Sequence, residues 1–173
     1  PIHSSAASDV YKRQVKEIIN LNEAGKEILL VSSGALALGK KSLNFKKNNL
    51  KVSEKQAASS VGQVLLINAW KKAFLKYKKQ CGQILLTHLD AEIRSSAINA
   101  RNTIESLLKL NSIPIINEND SVATQELRYG DNDQLAARVA QITSSNLLII
   151  LSDVDGLYTC LLYTSDAADE WIG

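Results

Sequence analysis

The chain has 173 residues with 45% hydrophobic and 22% charged side chains, the composition of a folded globular protein about one domain long. The 20 Lys and Arg residues nearly balance the 18 Asp and Glu residues, and this net charge of +2 gives no basic footprint for nucleic acid. No apolar run approaches the roughly 20 residues that a membrane helix needs, and two cysteines form neither a disulfide framework nor a metal-ligand cluster. We therefore expect neither nucleic-acid nor membrane partners.

The two ends of the chain differ from its middle. Residues 4–14 read SSAASDVYKRQ, and residues 160–170 read CLLYTSDAADE. A DNA sequence that encodes the first segment also encodes CLLYTSDAAD on its complementary strand, one frame over, which indicates a transposase-type sequencing adapter. We therefore predict that residues 1–14 and 160–173 are non-native tails, which are set aside in reasoning about the fold. Residues 15–159 are then expected to be part of a natural domain that is truncated at both ends.

The first half of this middle part predicts helix, strand and two further helices. Val15–Ala24 has apolar residues at helical spacing, and Gly25 follows where a helix C-terminal cap belongs. The apolar run Lys26–Ser32 is typical of a buried parallel strand. Ala35–Leu43 predicts a short helix, and the capping pattern that begins at Ser53 predicts a long helix to about Gln80. We expect the apolar face of the long helix to carry Val61, Val64, Leu65, Ala69, Ala73, Phe74 and Tyr77.

The second half continues the alternation of strands and helices. Gln83–Thr87, Ile113–Ile116 and Leu147–Leu151 are short apolar runs of strand length. Between them, Ile98–Leu110 and Asp131–Thr143 have helical periodicity. This alternation predicts an α/β fold with a mainly parallel sheet.

Short polar turns follow three of the predicted strands. They are VSSGA at 31–35, NEND at 117–120 and SDVDG at 152–156, and a fourth polar segment, GDND at 130–133, opens a helix. In an open parallel sheet, ligands bind outside the carboxyl ends of the strands. The turns after the strands are therefore expected to face one crevice.

Each turn also has a purely structural interpretation. Ser33–Ala35 can place backbone amides against an anion at a helix start, or it can be an ordinary tight turn. The NEND side chains can bind an ammonium group or orient a metal-bound ligand, or they can form a solvated turn. Asp131 can be a helix cap or part of a site, and Ser152 with Asp153 can contact a nucleotide over the strand end or belong to a turn led by Asp155 and Gly156. Asn132 and Asp133 are less well explained by capping, because one side chain suffices for a cap.

The middle of the chain contains seven motifs in this order: VSSGALALG, KQAASSVGQ, GQILLT, NARNT, IPIINENDSVAT, GDNDQLAA and LLIILSDVDGLYT. Together they resemble the glutamate 5-kinases of the amino-acid kinase family, over nearly all of residues 15–159. The resemblance implies a three-layer αβα sandwich with a mainly parallel sheet, incomplete in this chain. It also implies ATP-dependent phosphorylation of the L-glutamate side-chain carboxylate to glutamyl 5-phosphate, the first step of proline biosynthesis.

The resemblance further implies which residues bind the amino-acid substrate. Ser33 would contact glutamate. Gly34 and Ala35 would offer backbone amides to the acceptor carboxylate or to the moving phosphoryl group. Asp120 and Asn132 would hold the charged amino-acid end of the substrate.

The phosphoryl side of the site is implied in the same way. Asp133 would be the catalytic organiser and orient lysines that contact the phosphoryl group. Ser152 and Asp153 would contact ATP, and Mg²⁺ would enter with the nucleotide rather than occupy a protein metal site. The family's two phosphoryl-contacting lysines have no counterpart in this chain, so we expect this fragment itself to be inactive. The full-length protein is expected to be a cytoplasmic homo-oligomer.

Two other functions are compatible with the sequence. The same fold could phosphorylate another acceptor, namely aspartate, acetylglutamate, carbamate or UMP. Alternatively, the domain could bind a nucleotide or an amino acid without catalysis. A turnover assay with the completed gene would distinguish these possibilities.

Overall fold

The computed structural model describes residues 2–46, 49–122 and 132–151, with side chains from Arg13 onward. These ranges contain six helices and three strands. In chain order they are α1 (Ile2–Glu23), β1 (Leu30–Val31), α2 (Ala35–Ser42), α3 (Val52–Leu75), β2 (Gln80–Leu86), α4 (His88–Glu92), α5 (Arg94–Lys109), β3 (Ser112–Glu118) and α6 (Asn132–Ile142).

The described strands form one parallel sheet in the order β1-β3-β2. Leu30 pairs with Ile115 on one side of β3, and Gln80 pairs with Ser112 on the other. The central strand is buried from Ile113 onward, as expected for a parallel strand that is covered on both faces.

Helices cover both faces of this sheet. On one face, α1 and α3 pack over Ile113 and Ile115 in a core that includes Val15, Trp70 and Phe74. On the other face, α5 and α6 contribute to a second core around Ile116, which contains Ile84, Leu86, Ala100, Ile104, Leu135 and Val139. The predicted three-layer αβα arrangement with a parallel sheet is therefore confirmed.

The buried face of α3 differs from the predicted one. Ala73 and Phe74 are buried as expected, but Val64 is 59% exposed and Tyr77 is 44% exposed. The buried residues are instead Ala58, Ser59, Gly62, Gln63, Leu66, Trp70, Ala73 and Phe74. The prediction missed Ala58 and Gly62 because it counted large apolar residues, whereas the close approach of α2 requires small residues at these two positions.

Two glycines allow α2 and α3 to cross with their backbones in contact. A Cβ atom on Gly39 would lie 1.7 Å from the carbonyl oxygen of Ala58. A Cβ atom on Gly62 would lie 1.7 Å from the carbonyl oxygen of Ala35. Because no side chain fits at either point, this crossing fixes where α2 begins relative to α3.

Several predicted boundaries also move. Strand β1 has only two residues, whereas β3 extends through Glu118 and includes the first half of the NEND segment. The long helix begins at Val52, where the backbone amide of Lys51 donates to Glu54 Oε2 at 2.8 Å, so the predicted cap at Ser53 is wrong. Helix α1 runs through the boundary predicted between residues 14 and 15.

The proposed non-native origin of residues 1–14 rests on the coding argument and stays a prediction. Residues 160–173, the other proposed tail, lie outside the described ranges.

The predicted fourth strand is not formed. Leu147–Leu151 has no strand assignment, and Leu147 and Leu151 are 75% and 76% exposed. An apolar run becomes a strand only when another strand pairs with it, and no described strand pairs with this one. Among the described helices, none combines the length and the apolar character required to cross a bilayer.

Candidate active site

The turn after β1 begins the candidate site. The backbone amide of Ser32 donates to the carbonyl oxygen of Ile116 at 2.9 Å, which keeps the chain beside β3 one residue beyond the strand. Gly34 then adopts a left-handed conformation with φ 105° and is the N-cap of α2. Glycine suits this position because other residues rarely tolerate such a φ. The first amides of α2 have no partner within the helix, so this turn is suited to an anionic group.

A side-chain hydrogen bond joins this turn to the GDND segment. Asn132 Nδ2 donates to Ser33 Oγ at 2.8 Å, across 99 residues of sequence. Helix α6 brings Asn132 there because it contacts both β1 and β3. The other polar atom of the Asn132 side chain, Oδ1, is buried and has no hydrogen-bond partner among the described residues. A buried acceptor without a partner costs about 1–3 kcal/mol, so this oxygen is well placed to accept from a ligand.

Asp120 lies just beyond the end of β3. The backbone amide of Asn119 donates to the carbonyl oxygen of Leu86 at 2.9 Å, and Gln63 Nε2 donates to the carbonyl oxygen of Glu118 at 3.2 Å. These bonds fix the backbone that carries Asp120. Burial raises the pKa of the Asp120 carboxyl, and the hydroxyl of Ser59 on α3 acts in the opposite direction. A cationic ligand group would favour the ionised form of this partly desolvated carboxylate.

The four NEND residues have two different environments. Asn117 and Glu118 belong to β3 and are buried, and Asn117 Oδ1 accepts a hydrogen bond from the Glu118 amide at 2.8 Å. Asn119 and Asp120 are half-buried at the turn. The interpretation of NEND as a solvated turn is therefore wrong for its first two residues.

A cavity of about 320 Å³ adjoins Asp120. It lies between α3 and the ends of β2 and β3, and its polar lining includes Gln63, Asn68, Gln83 and Asn119. Its volume is at the lower end of the range for small-molecule sites. Ser33 and Asn132 are not among its lining residues, so the cavity extends the site on the Asp120 side only.

The phosphoryl side of the predicted site is only partly described. Asp133 lies in the first turn of α6 with an exposed side chain. Ser152 and Asp153, the predicted ATP contacts, lie outside the described residues. Within the described ranges, no three His, Cys, Asp or Glu side chains come together in a way that could hold a metal ion. The structure thus brings Ser33, Gly34, Ala35 and Asn132 together and puts Asp120 after the neighbouring strand, while the roles of all these residues stay predictions.

Sequence reasoning missed the buried polar residues that support these turns. Trp70 Nε1 donates to Ser32 Oγ at 2.9 Å, and Gln63 holds the Glu118 carbonyl. The usable signal is the small residue Gly62 beside Gln63, which indicates a helix face in close contact with other backbone. No local pattern could identify Trp70 as the partner of a serine 38 residues away.

Comparisons with known proteins identify the family of the chain. A model of the amino acid kinase family matches residues 3–162. The chain is similar to "Glutamate 5-kinase" from Pelagibacter ubique, with 50% identity over 149 residues that cover 86% of this chain and 40% of that protein. It is also similar to "Glutamate 5-kinase 1" from Mesorhizobium japonicum, with 54% identity over 143 residues that cover 83% of this chain and 38% of that protein.

A third relative, "Glutamate 5-kinase" from Sinorhizobium fredii, is 55% identical over 143 residues that cover 83% of this chain and 36% of that protein. The chain therefore spans between 36% and 40% of the length of these three curated relatives. Because the family model matches most of its residues, the chain belongs to the amino acid kinase family.

Proposed function

We propose that this chain forms the glutamate-binding part of a glutamate 5-kinase. Such an enzyme transfers the γ-phosphoryl group of ATP to the side-chain carboxylate of L-glutamate and yields glutamyl 5-phosphate for proline biosynthesis. The observation that carries the proposal is the hydrogen bond from Asn132 to Ser33, because it joins two motifs that were predicted to share one site. The names of the similar proteins support the same substrate.

The amino-acid end of the substrate is held by oxygen acceptors. The buried Asn132 Oδ1 and the desolvated carboxylate of Asp120 both suit the α-ammonium group of glutamate. Ser33 Oγ already accepts from Asn132, so its own O–H is available to donate to a substrate carboxylate. These residues therefore select for a molecule that carries an ammonium group beside a carboxylate.

The reacting end lies at the start of α2. There the amides that follow Gly34 and the positive end of the helix dipole stabilise negative charge on the acceptor carboxylate or the moving phosphoryl group. The glutamate carboxylate is already ionised at neutral pH, so the transfer needs positioning and charge neutralisation rather than a base. Asp133, exposed in the first turn of α6, would orient lysines that are not among the described residues.

ATP and Mg²⁺ belong to this proposal as well. The amide-rich start of α2 fits an anionic phosphoryl group, whereas the described residues offer no set of metal ligands. As the resemblance to the family implies, Mg²⁺ would enter with the nucleotide and neutralise charge on its phosphates. Ser152 and Asp153 remain the proposed ATP contacts, and we propose that the complete enzyme is a cytoplasmic homo-oligomer.

The substrate assignment is tested by titrating this 173-residue chain with L-glutamate, L-aspartate, N-acetylglutamate and glutarate in a calorimeter. We expect L-glutamate to bind at least about tenfold more tightly than glutarate, which lacks the ammonium group. Asn132→Ala should weaken glutamate binding, whereas the control Asn99→Ala, at an exposed position of α5, should not. Equal affinity for glutarate, or an Asn132→Ala variant that binds normally, would contradict the assignment.

Turnover needs a longer protein. We propose a chimaera in which residues 15–151 replace the segment of the Pelagibacter ubique relative that aligns with these residues, so that the relative supplies everything before and after them. It should release ADP only when L-glutamate is present, and Asp133→Asn should abolish that release. The 173-residue chain alone is expected to bind glutamate without ADP release.

A further inference from the structure

The residue before Ser33 is held by both its backbone and its side chain. The amide of Ser32 donates to the Ile116 carbonyl oxygen at 2.9 Å, and Ser32 Oγ accepts from Trp70 Nε1 at 2.9 Å. Ser32 is 6% exposed and Trp70 is 3% exposed, so water does not compete for this bond. The Ser32 hydroxyl itself points to the carbonyl oxygen of Ser33, at a weak 3.5 Å.

The indole of Trp70 is buried among the core residues between α3 and the sheet. Its ring stacks on Phe74 with the centroids 6.0 Å apart, and both side chains lie in the core between α3 and the sheet. A buried indole N–H is normally paired because it loses its water, and Ser32 accepts it here.

The same helix also fixes the other end of the turn. Gly62 of α3 contacts the backbone of Ala35 so closely that no side chain would fit between them. Trp70 therefore holds residue 32 while Gly62 holds residue 35. Only Ser33 and Gly34 lie between these two points, and Gly34 takes the left-handed conformation that closes the span.

We propose that Trp70 is a positioning residue for the turn at residues 32–35 and that it acts through Ser32. Its indole N–H holds Ser32 and so sets the direction of the chain between β1 and Ser33. That direction in turn determines the contact of Ser33 with Asn132. The effect on glutamate binding rests on the proposed function, whereas the effect on the Ser33–Asn132 contact does not.

The first test is a double-mutant cycle in the 173-residue chain, with the dissociation constant for L-glutamate as the readout. Trp70→Phe removes the N–H and keeps an aromatic ring, while Ser32→Ala removes the acceptor. We expect each single variant to weaken binding about tenfold and the double variant also about tenfold, because both changes break the same bond. Ser32→Thr retains the hydroxyl and should bind within about threefold of the parent chain.

A control separates positioning from general stability. Phe74→Leu removes the ring stacked on Trp70 and leaves the indole N–H and Ser32 in place. It should lower the melting temperature while glutamate affinity stays within about twofold of the parent. The proposal is overturned if Phe74→Leu weakens binding as much as Trp70→Phe. It is also overturned if the double variant binds about a hundredfold more weakly than the parent, because the two effects would then be independent.

The second test needs no ligand. In ¹⁵N-labelled chain, the side-chain amide signals of Asn132 should shift in Trp70→Phe and in Ser32→Ala, and should stay in place in Phe74→Leu. Unshifted Asn132 signals in Trp70→Phe would overturn the proposal even if the variant melts earlier. If the parent chain does not bind L-glutamate, the proposed substrate fails, and these signals still decide whether Trp70 positions the turn.

Discussion

Replacing Gly62 by alanine should push helix α2 away from α3 and destabilise the chain. The added methyl would lie 1.7 Å from the Ala35 carbonyl oxygen and 2.8 Å from the Gly39 amide nitrogen. Both atoms belong to backbone, so no side chain can rotate away to make room. The helices would have to separate by at least about 1.3 Å before the methyl group and the Ala35 carbonyl oxygen reached a tolerable distance, which is the overpacking of a tight core.

Two opposing effects decide the magnitude. Alanine favours a helix by about 1 kcal/mol over glycine, which would stabilise α3. Overpacking in a well-packed core costs about 1–3 kcal/mol and sometimes more, and a contact between two backbones is at the upper end. We therefore expect a net loss of about 2 kcal/mol or more, which corresponds to a fall of about 4–8 °C in melting temperature for a chain of this length.

The assay is thermal and urea denaturation of the 173-residue chain followed by circular dichroism. Gly82→Ala is the control, since the nearest atoms that its Cβ would meet belong to the flexible side chain of Leu107, at 2.8 Å. That variant should melt within about 2 °C of the parent, since a small overlap with a side chain relaxes easily. A Gly62→Ala chain as stable as the parent would refute the claim that this crossing is in backbone contact.

Three further outcomes follow from individual side chains. Burial raises the pKa of Asp120 above its ordinary 3.8, so the ionised carboxylate destabilises the fold at pH 7 and this cost disappears as the pH falls below 3.8. Asp120→Asn should therefore melt no earlier than the parent at pH 7 and lose that advantage near pH 4, while glutamate affinity falls; an earlier melt at pH 7 would contradict this. Thr87→Ala removes the oxygen that accepts from the Asp90 amide at 3.0 Å, and it should cost about 1 kcal/mol in urea unfolding, whereas the exposed Thr103→Ala should cost less. Burial also raises the pKa of the Cys81 thiol, so in a Cys160→Ser background iodoacetamide should label it several-fold more slowly than a model thiol at pH 8, and equal rates would argue against a protected thiol.

The layout of the sheet could be predicted because its strands carry a strong local signal. Ile113–Ile116 is apolar at every position, as a strand buried on both faces must be, and polar residues follow it at once. That pattern was enough to predict that Ser33 and Asp120 follow strands of one parallel sheet, whereas the strand order β1-β3-β2 came only from the structure.

The same signal failed at Leu147–Leu151, which is equally apolar and forms no strand. Apolar residues show that a segment is suited to burial. Whether the segment forms a strand depends on a second strand that lies beside it and pairs with it. The buried face of α3 was missed for a related reason. Gly62 is buried against α2, and Ser59 is buried beside Asp120 of the NEND turn. These contacts cannot be inferred from the periodicity of α3 alone.

The support of the candidate site was the least predictable part. Trp70 and Ser32 are 38 residues apart, and each is an ordinary residue in its own segment. Their hydrogen bond depends on the angle at which α3 crosses the sheet. Sequence reasoning could name Ser33 as a substrate contact, yet it could not find the indole that holds the preceding residue.

The position of β3 in the sheet has a consequence for synthesis of the protein. Leu30 and Gln80 are made first, yet each pairs only with a residue of the last described strand, Ile115 and Ser112 respectively. No rung of this ladder can close until residues 112–118 have left the ribosome. Until then, α3 presents Trp70 and Phe74 without the strand that later covers them, and such long-range parallel pairing is slow. A nascent chain stalled before β3 would therefore lack this sheet and expose hydrophobic surface. We expect such an intermediate to be prone to aggregation and to bind chaperones.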